Sequence, residues 1–342
     1  MKCLIIGDPG LPSKYIYNGM KRLERCGVDF TCIDWKEDLT MERFYSTIME
    51  IEREGVEEIE PFREMLEHIP DIEILVVHFA PVSSQVIKNG GKLKIIGCTR
   101  GGLENINIKV AKEEGITVIN APGRNADAVA DLTMGLILAL VRKITLLHCM
   151  LKRGVWRSIS REQLPYDLRG RVLGIIGFGY IGREVAKRAK AFGMEILSYD
   201  PYVEKRVISK FGAKPVGIES LLRNSDIVSL HTRLTPETYH LMGEREFKMM
   251  KRTALFINTA RGRLVDEEAL VKALEEGWIA GAALDVFEEE PIGDENPILK
   301  FENVVLTPHI AGSTRESLLI NGPKIIRDRI EELLKCESKD DD

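Results

Sequence analysis

The sequence predicts an α/β protein of two parallel-sheet units, the second beginning afresh in mid-chain. Three observations carry this. Short apolar runs alternate with helix-length segments almost throughout, a rhythm that buries a parallel sheet under helices on both faces. The rhythm lapses over residues 151–170 and restarts at Arg171. The restart places Gly177-x-Gly179-x-x-Gly182 directly after an apolar run, the spacing at which a strand turns into a helix around a bound phosphate.

Taken in order, KCLIIG (2–7) reads as a strand, Ser13–Cys26 as a helix and VDFTCID (28–34) as a second strand. Lys36 to Pro70 is helical and densely charged, and reads as a solvated helical excursion with no chemistry in it. Strands follow at 71–79, 92–98 and 116–122, separated by helix-length segments. A long helix opens at Asn125, with Asn125 or Asp127 as its cap. Its apolar stretch Leu132–Val141 reads as buried, since ten residues fall short of the ~20 that a membrane span needs. Residues 151–170 read as a connecting arm, and Ser313 to Leu334 as a closing helix with Leu318, Ile325, Ile326, Ile330 and Leu333 on its apolar face. The tail CESKDDD reads as a frayed terminus.

At 342 residues and 44% hydrophobic content, the chain can bury two cores and is no disordered polymer. A net charge of −5 without a basic cluster argues against nucleic acid as a partner. The six cysteines form no C-x-x-C pair, and the start MKCLIIGDPG is no signal peptide. They read as reduced thiols of a cytoplasmic protein, neither disulfides nor metal ligands.

The fingerprint is stronger than its three glycines. Gly177 permits a tight turn, Gly179 a close approach of backbone to a pyrophosphate, and Gly182 close packing of helix on strand. After the next apolar run, MEILSY, comes Asp200, 21 residues past Gly179. A carboxylate there accepts hydrogen bonds from the ribose hydroxyls of adenosine and repels a 2′-phosphate, which predicts NAD over NADP. A glycine-rich turn that binds nothing is the bland alternative, and the ordered strand, helix, strand and acid make it improbable.

One further stretch raises a question by itself. In NVVLTPHIAGST (303–314) an apolar strand stops at Thr307-Pro308 and is followed by His309. Proline forbids simple continuation of a central strand, and strand ends are where open α/β sheets hold ligands. Alone, His309 reads as a half-buried loop histidine.

Three segments past the fingerprint change that reading. NTARGRLVDEEAL (258–270), GAALDVFEEEP (281–291) and LTPHIAGST (306–314) resemble the signature segments of the D-isomer-specific 2-hydroxyacid dehydrogenases. That family includes phosphoglycerate dehydrogenase and glyoxylate/hydroxypyruvate reductase, and the resemblance runs over about residues 70–320. It implies two Rossmann-like or flavodoxin-like parallel-sheet domains. The substrate domain would be discontinuous, 1–125 with 313–342, and the NAD-binding Rossmann domain would span 126–312. It further implies a catalytic set of Arg261, Glu290 and His309. The residue types suit the chemistry. Reduction of a 2-keto acid needs a proton on the carbonyl oxygen, which a histidine titrating near neutrality can supply. A glutamate beside the ring holds its orientation, and an arginine fork binds carboxylate and carbonyl oxygens. Singly, Arg261 reads as a surface ion pair and Glu290 as one more acid; jointly those readings are improbable.

The same resemblance implies that Tyr180 and Ile181 give backbone N–H to the pyrophosphate and that Thr232 lies near the adenosine half. Thr259 and Ala260 would flank the nicotinamide, Asp285 would meet its carboxamide, and Gly312 would close the cofactor set. GCTRGGLENIN (97–107) resembles the loop that holds the substrate carboxylate, which makes Arg100, Gly101 and Gly102 substrate-binding candidates. It departs from the common form: Glu104 stands for aspartate, and Arg100 stands where glycine is frequent. A guanidinium there, with Arg124 as helper, would serve a second anionic or polyhydroxyl group of the substrate; pairing with Glu104 is the bland alternative. His78 and Phe79 would line the same cleft or pack, and His231 and His240 read as structural.

The expectation is an NAD-dependent enzyme interconverting a D-2-hydroxyacid and its 2-keto acid, of phosphoglycerate dehydrogenase type. The alternatives are a glyoxylate/hydroxypyruvate reductase and, outside enzymes, an NAD-sensing binding protein. The partner is then a small-molecule acid, with no nucleic acid and no membrane. The Leu132–Val141 helix and the Trp156 arm resemble the family's dimerisation region, so a homodimer is expected. The chain stops near 335 without the regulatory domain of some phosphoglycerate dehydrogenases, and no feedback through such a domain is expected.

Overall fold

In the computed structural model, residues 1–36, 38–156 and 164–334 are described. The tail after Leu334 and part of the connecting arm lie outside them. The chain divides into two compact units, Met1–Asn125 with Ser313–Asp342, and Ala126–Gly312.

In chain order, the first 125 residues supply β1 (Lys2–Gly7), α1 (Ser13–Met20), β2 (Asp29–Asp34), α2 (Met41–Glu54), α3 (Arg63–His68), β3 (Ile74–Val77), α4 (Ser84–Asn89), β4 (Ile95–Cys98), α5 (Ile108–Glu113) and β5 (Thr117–Asn120). The second unit supplies α6 (Ala126–Val141), α7 (Ile144–Lys152), β6 (Val172–Ile176), α8 (Tyr180–Ala191), β7 (Glu195–Tyr199), α9 (Lys205–Lys210), β8 (Lys214–Pro215) and α10 (Ile218–Asn224). It continues with β9 (Ile227–Leu230), α11 (Glu244–Met249), β10 (Leu255–Asn258), α12 (Glu267–Glu275), β11 (Gly281–Leu284) and β12 (Val304–Leu306); α13 (Gly322–Leu334) returns to the first unit.

The first unit is a five-stranded sheet in the order β2-β1-β3-β4-β5, with every pairing parallel. Successive strand residues point to opposite faces. Leu4, Ile6, Leu75 and Val77 accordingly feed one core, and Cys3, Ile5, Ile74 and Val76 the other. Burial on both faces explains why these strands read as continuous apolar runs rather than alternating ones. The order reverses between β1 and β3, and there Asp8 and His78 pair in the interior, Nδ1 lying 2.9 Å from Oδ1.

Three expectations are corrected in this unit. The charged segment 36–70 is no free excursion: Phe44, Ile48 and Ile51 stand one helical face apart on α2 and are buried, together with Met65 and Ile69, against the sheet. The first helix stops at Met20, where residues 21–26 tighten into a 3₁₀ turn closed by Gly27 at φ 74°. The closing helix is not one α-helix either. Residues 316–321 form a π turn that runs directly into α13 at Gly322, next to Pro323, which has no N–H for the α ladder. Leu318 in the π turn is exposed, while Ile326 and Ile330 are buried.

The second unit is a seven-stranded parallel sheet in the order β12-β11-β10-β9-β6-β7-β8. Its order reverses between β6 and β9. α6 packs along α8 with Ala130, Met134 and Ile137 buried. The expected helix through Lys143 ends early, because Lys143 adopts φ 54° and α7 departs at 64°. Asp127 lies in the first turn of α6, where its carboxylate pairs with Arg188 at 2.8 Å. α7 buries none of its residues, and Trp156 beyond it is 88% exposed. A cavity of about 510 Å³ opens at the amino ends of the strands, lined by Lys143, Arg171, Thr253, Ala280 and Asn303. It lies at the opposite edge of the sheet from the groups described next. No single helix among the described residues is long and apolar enough to cross a membrane.

Candidate active site

β6 ends at Gly177, which takes φ 92°; a Cβ there would meet the carbonyl carbon and oxygen of His231 at 2.6 Å. A Cβ at Gly182 would lie 2.2 Å from the Gly177 carbonyl oxygen, whereas one at Gly179 would meet nothing within 4 Å. Thus two glycines are required by packing and the third leaves open space. α8 starts at Tyr180, and its cap, Gly179, puts no side chain on the first-turn N–H groups. Tyr180 and Ile181 therefore present free backbone donors and a positive dipole end.

Asp200 follows β7 and leans back over this loop. Its Oδ2 accepts from Phe178 N at 2.7 Å, and its Oδ1 from Tyr202 N at 2.8 Å and Val203 N at 3.0 Å. A carboxylate oxygen with one partner retains a lone pair for a ribose hydroxyl. Thr232 follows the neighbouring β9, half-buried. These groups gather at the point where strand order reverses, which is where doubly wound sheets bind dinucleotides. The open space at Gly179, the uncapped helix end and the fixed acid fit NAD.

Across the same carboxyl edge lie the ends of β10, β11 and β12. Buried Asn258 organises the first: its Oδ1 accepts from Ala260 N at 3.0 Å, and its Nδ2 donates to the Arg261 carbonyl at 2.9 Å. Thr259 is buried, with Oγ1 3.0 Å from Thr133 Oγ1, and Ala260 is buried beside it. The Arg261 guanidinium donates Nη1 to the Ala260 carbonyl at 2.6 Å.

Asp285, fully buried after β11, holds the next loop. Its Oδ1 accepts from Thr307 Oγ1 at 2.5 Å and Ile310 N at 2.9 Å, and its Oδ2 from Ala311 N at 2.8 Å. Three of its hydrogen bonds thus shape the loop bearing His309, and Oδ2 keeps capacity for another donor. Within that loop His309 adopts φ 51°. Its Nδ1 lies 2.6 Å from Glu290 Oε2, while Glu290 Oε1 accepts from Phe287 N at 3.0 Å. His309 and Glu290, 19 residues apart, are therefore in direct contact; Arg261 stands at the neighbouring strand end and bonds to neither among the described residues. Gly312, half-buried, ends the unit.

In the first unit the loop after β4 carries Arg100, Gly101 and Gly102. Arg100 lies over the Phe79 ring at 3.6 Å, with Nη2 3.6 Å from Glu104 Oε2. The Gly101 carbonyl accepts from Asn120 Nδ2 at 2.6 Å. Arg124, on the adjacent strand's loop, donates Nη1 to the Ser317 carbonyl at 2.5 Å. Burial, then the neighbouring Arg100, hold its pKa below the ordinary arginine value. His78 is buried: its ring bonds Asp8, whose carboxylate also takes the N–H groups of Gly10, Leu11 and Phe79. That favours the packing reading for His78 and Phe79.

His231 is structural as expected, its Nε2 2.9 Å from Ser229 Oγ and its pKa pushed down to about 3 by burial. Asn258 and Asp8 went unread in the sequence, because a side chain that bonds backbone has no distinctive spacing. His240 has a partner that the sequence could not show, Glu288, at 2.9 Å.

Residues 134–311 match the model of the D-isomer specific 2-hydroxyacid dehydrogenase NAD-binding domain. The chain is 46% identical to D-3-phosphoglycerate dehydrogenase of Methanocaldococcus jannaschii over 80% of this chain and 52% of that protein. It is 44% identical to glyoxylate reductase of Thermococcus litoralis over 81% of this chain and 84% of the other. It spans about half the length of the phosphoglycerate dehydrogenase it matches. In fold it is similar to the NAD-complexed D-isomer specific 2-hydroxyacid dehydrogenase of Lactobacillus delbrueckii ssp. bulgaricus, with TM-score 0.74 and 24% identity over 99% of each chain. The glycine loop, the acid after β7 and these likenesses converge: the chain belongs to the D-isomer specific 2-hydroxyacid dehydrogenases, NAD-dependent oxidoreductases, and residues 134–311 are its NAD-binding domain.

Proposed function

We propose that the chain interconverts a D-2-hydroxyacid and its 2-keto acid, with His309 as general acid and base, Glu290 as its orienting partner and Arg261 as the substrate's anchor. The carrying observation is the 2.6 Å contact between His309 Nδ1 and Glu290 Oε2 at the strand edge that also holds the NAD-binding glycines. Bound NAD supplies or accepts the hydride. His309 donates an Nδ1–H hydrogen bond to Glu290 and keeps that proton, which leaves Nε2 to give a proton to the substrate oxygen during reduction or take one during oxidation. The carboxylate holds the ring's orientation and balances the charge of the imidazolium. Arg261 presents a rigid fork to carboxylate and carbonyl oxygens and polarises the bond to be reduced. In the first unit, the backbone N–H groups of Gly101 and Gly102 would hold the substrate carboxylate, which makes residues 1–125 and 313–342 the substrate domain and 126–312 the cofactor domain.

The substrate we favour carries a second anionic or polyhydroxyl group, as in a phosphoglycerate-type acid. What supports this is Arg124: among the described residues no carboxylate pairs with it, and Arg100 stands beside it. The contact of Arg100 with Glu104 favours a second reading, a structural Arg100 and a small substrate such as glyoxylate or hydroxypyruvate. NADH oxidation on glyoxylate, hydroxypyruvate and phosphohydroxypyruvate tests both, with wild type and Arg100→Met. Loss of about 10-fold or more in kcat/KM on the phosphorylated acid alone supports the first reading; equal loss on all three, or none, supports the second. No turnover on any 2-keto acid would leave an NAD-sensing binding protein.

A homodimer is the proposed assembly. It is supported by α7, which buries no residue, and by exposed Ile144, Leu151, Val155 and Trp156. A monomer mass by light scattering at micromolar concentration would remove it. We place the protein in the cytoplasm, a reading supported by Cys3, Cys32, Cys98 and Cys149, which carry no disulfide.

A further inference from the structure

Two histidines of the second unit adopt the left-handed backbone conformation, His309 at φ 51° and His240 at φ 51°. Each bonds a glutamate of one short segment: His309 meets Glu290, and His240 Nε2 lies 2.9 Å from Glu288 Oε1. A non-glycine residue in this region is strained, and such strain persists only where the surroundings impose it. Here the imposing contacts are visible. The Tyr239 ring stacks on His240 at 4.0 Å and 17°. His240 N donates to the Arg263 carbonyl at 2.9 Å, and Met242 N to the Leu264 carbonyl at 3.0 Å.

The two ends of this contact grip both parts of the site. The backbone of His240 is bonded to the turn that begins at Arg261. The side chain of His240 reaches Glu288, two residues before Glu290. Between them the Arg261 turn and the glutamate segment touch, for a Cβ on Gly262 would lie 1.7 Å from the Phe287 carbonyl oxygen. Glu288 N is itself held by Glu267 Oε2 at 3.2 Å. Phe287 N in turn donates to Glu290 Oε1.

We propose that His240 and Glu288 are a positioning pair that fastens the Arg261 turn to the Glu290 segment and so sets the geometry of Arg261, Glu290 and His309. This rests on the catalytic reading of those three residues. Neither His240 nor Glu288 touches the reacting atoms. Their hydrogen bond spans 48 residues of sequence and adds a side-chain tie between the two catalytic elements, beside the backbone bond from Asp285 N to the Asn258 carbonyl.

The test exploits the strain. His240→Asn places a residue that tolerates the left-handed conformation but is too short to reach Glu288. A merely structural histidine predicts that this variant melts lower and that any loss of turnover only follows that loosening. A positioning histidine predicts that it melts no lower yet loses about 10-fold to 100-fold in kcat, the scale of a small misplacement of catalytic groups. Affinity for NADH, followed by fluorescence titration, should change less than two-fold or so, because the glycine loop and Asp200 lie outside the frame. Glu288→Ala should repeat the kcat loss, and Glu288→Gln, which still accepts from Nε2–H, should restore most of it.

Unchanged kcat in His240→Asn and Glu288→Ala overturns the proposal. Losses in melting temperature and NADH affinity that match the loss in kcat overturn it too, since they would mean general loosening. So does failure of Glu288→Gln to restore activity. His309→Ala and Arg261→Ala, measured beside these, separate the two levels: if those variants keep their turnover the catalytic reading has failed, whereas if only the His240 and Glu288 variants keep it the positioning pair alone has failed.

Discussion

His309 N donates to the carbonyl oxygen of Asp285 over 2.8 Å, while the Asp285 carboxylate takes the N–H groups of Ile310 and Ala311 and the Thr307 hydroxyl. One buried aspartate therefore shapes the whole loop that presents the histidine. Asp285→Ala should leave three donors unsatisfied and cost about 3 kcal/mol or more. Chemical denaturation reads that loss, and kcat should fall with it; a variant as stable as wild type would contradict the hydrogen-bond account.

His309→Ala should lower kcat by ~10²–10⁴, the usual worth of positioned general acid catalysis, with NADH affinity nearly intact. Arg261→Ala should raise KM for the keto acid as well, because it removes binding together with polarisation. Steady-state kinetics with NADH titrations distinguish the two. Turnover close to wild type in His309→Ala would reject the assigned role.

Asp200 faces the glycine loop through Phe178 N, so NADH should be much the better cofactor. Asp200→Ala should narrow the preference by removing both the ribose hydrogen bonds and the repulsion of a 2′-phosphate. The ratio of kcat/KM with NADH to that with NADPH is the measure, and a wild-type ratio near one would overturn the prediction.

His231 should make the fold acid-sensitive. Burial holds its pKa at about 3, below the ordinary 6.5. The unfolded chain thus takes up a proton below pH 6.5 that the folded chain refuses until about pH 3. This contribution is fully present above pH 6.5 and falls away as pH drops toward 3, by on the order of 1–2 kcal/mol at pH 5. His231→Gln should flatten the stability profile between pH 6.5 and 4. Profiles of equal slope for the two proteins would show that His231 is not the group responsible.

The sequence by itself determined the features set by local spacing. Continuous apolar runs marked strands buried on both faces, and the glycine spacing with the acid after β7 marked the dinucleotide loop, because a strand, a turn and a helix N-terminus are all made by neighbours in the chain. The family signatures were legible for the same reason. Tertiary structure alone decided contacts between residues far apart: His309 with Glu290, His240 with Glu288, Asp8 with His78, and the three hydrogen bonds of Asp285. It also decided burial where composition misled. The charged run 36–70 reads as solvated, yet Phe44, Ile48 and Ile51 cover the sheet, because burial of a helix follows the one face that meets a partner and not the average of its residues. The closing helix widens into a π turn before Gly322-Pro323 for a related reason. Periodicity describes one helix at a time, whereas a missing N–H and the approach of Gly322 to the Thr99 carbonyl, 2.3 Å from where a Cβ would stand, are consequences of what the chain packs against.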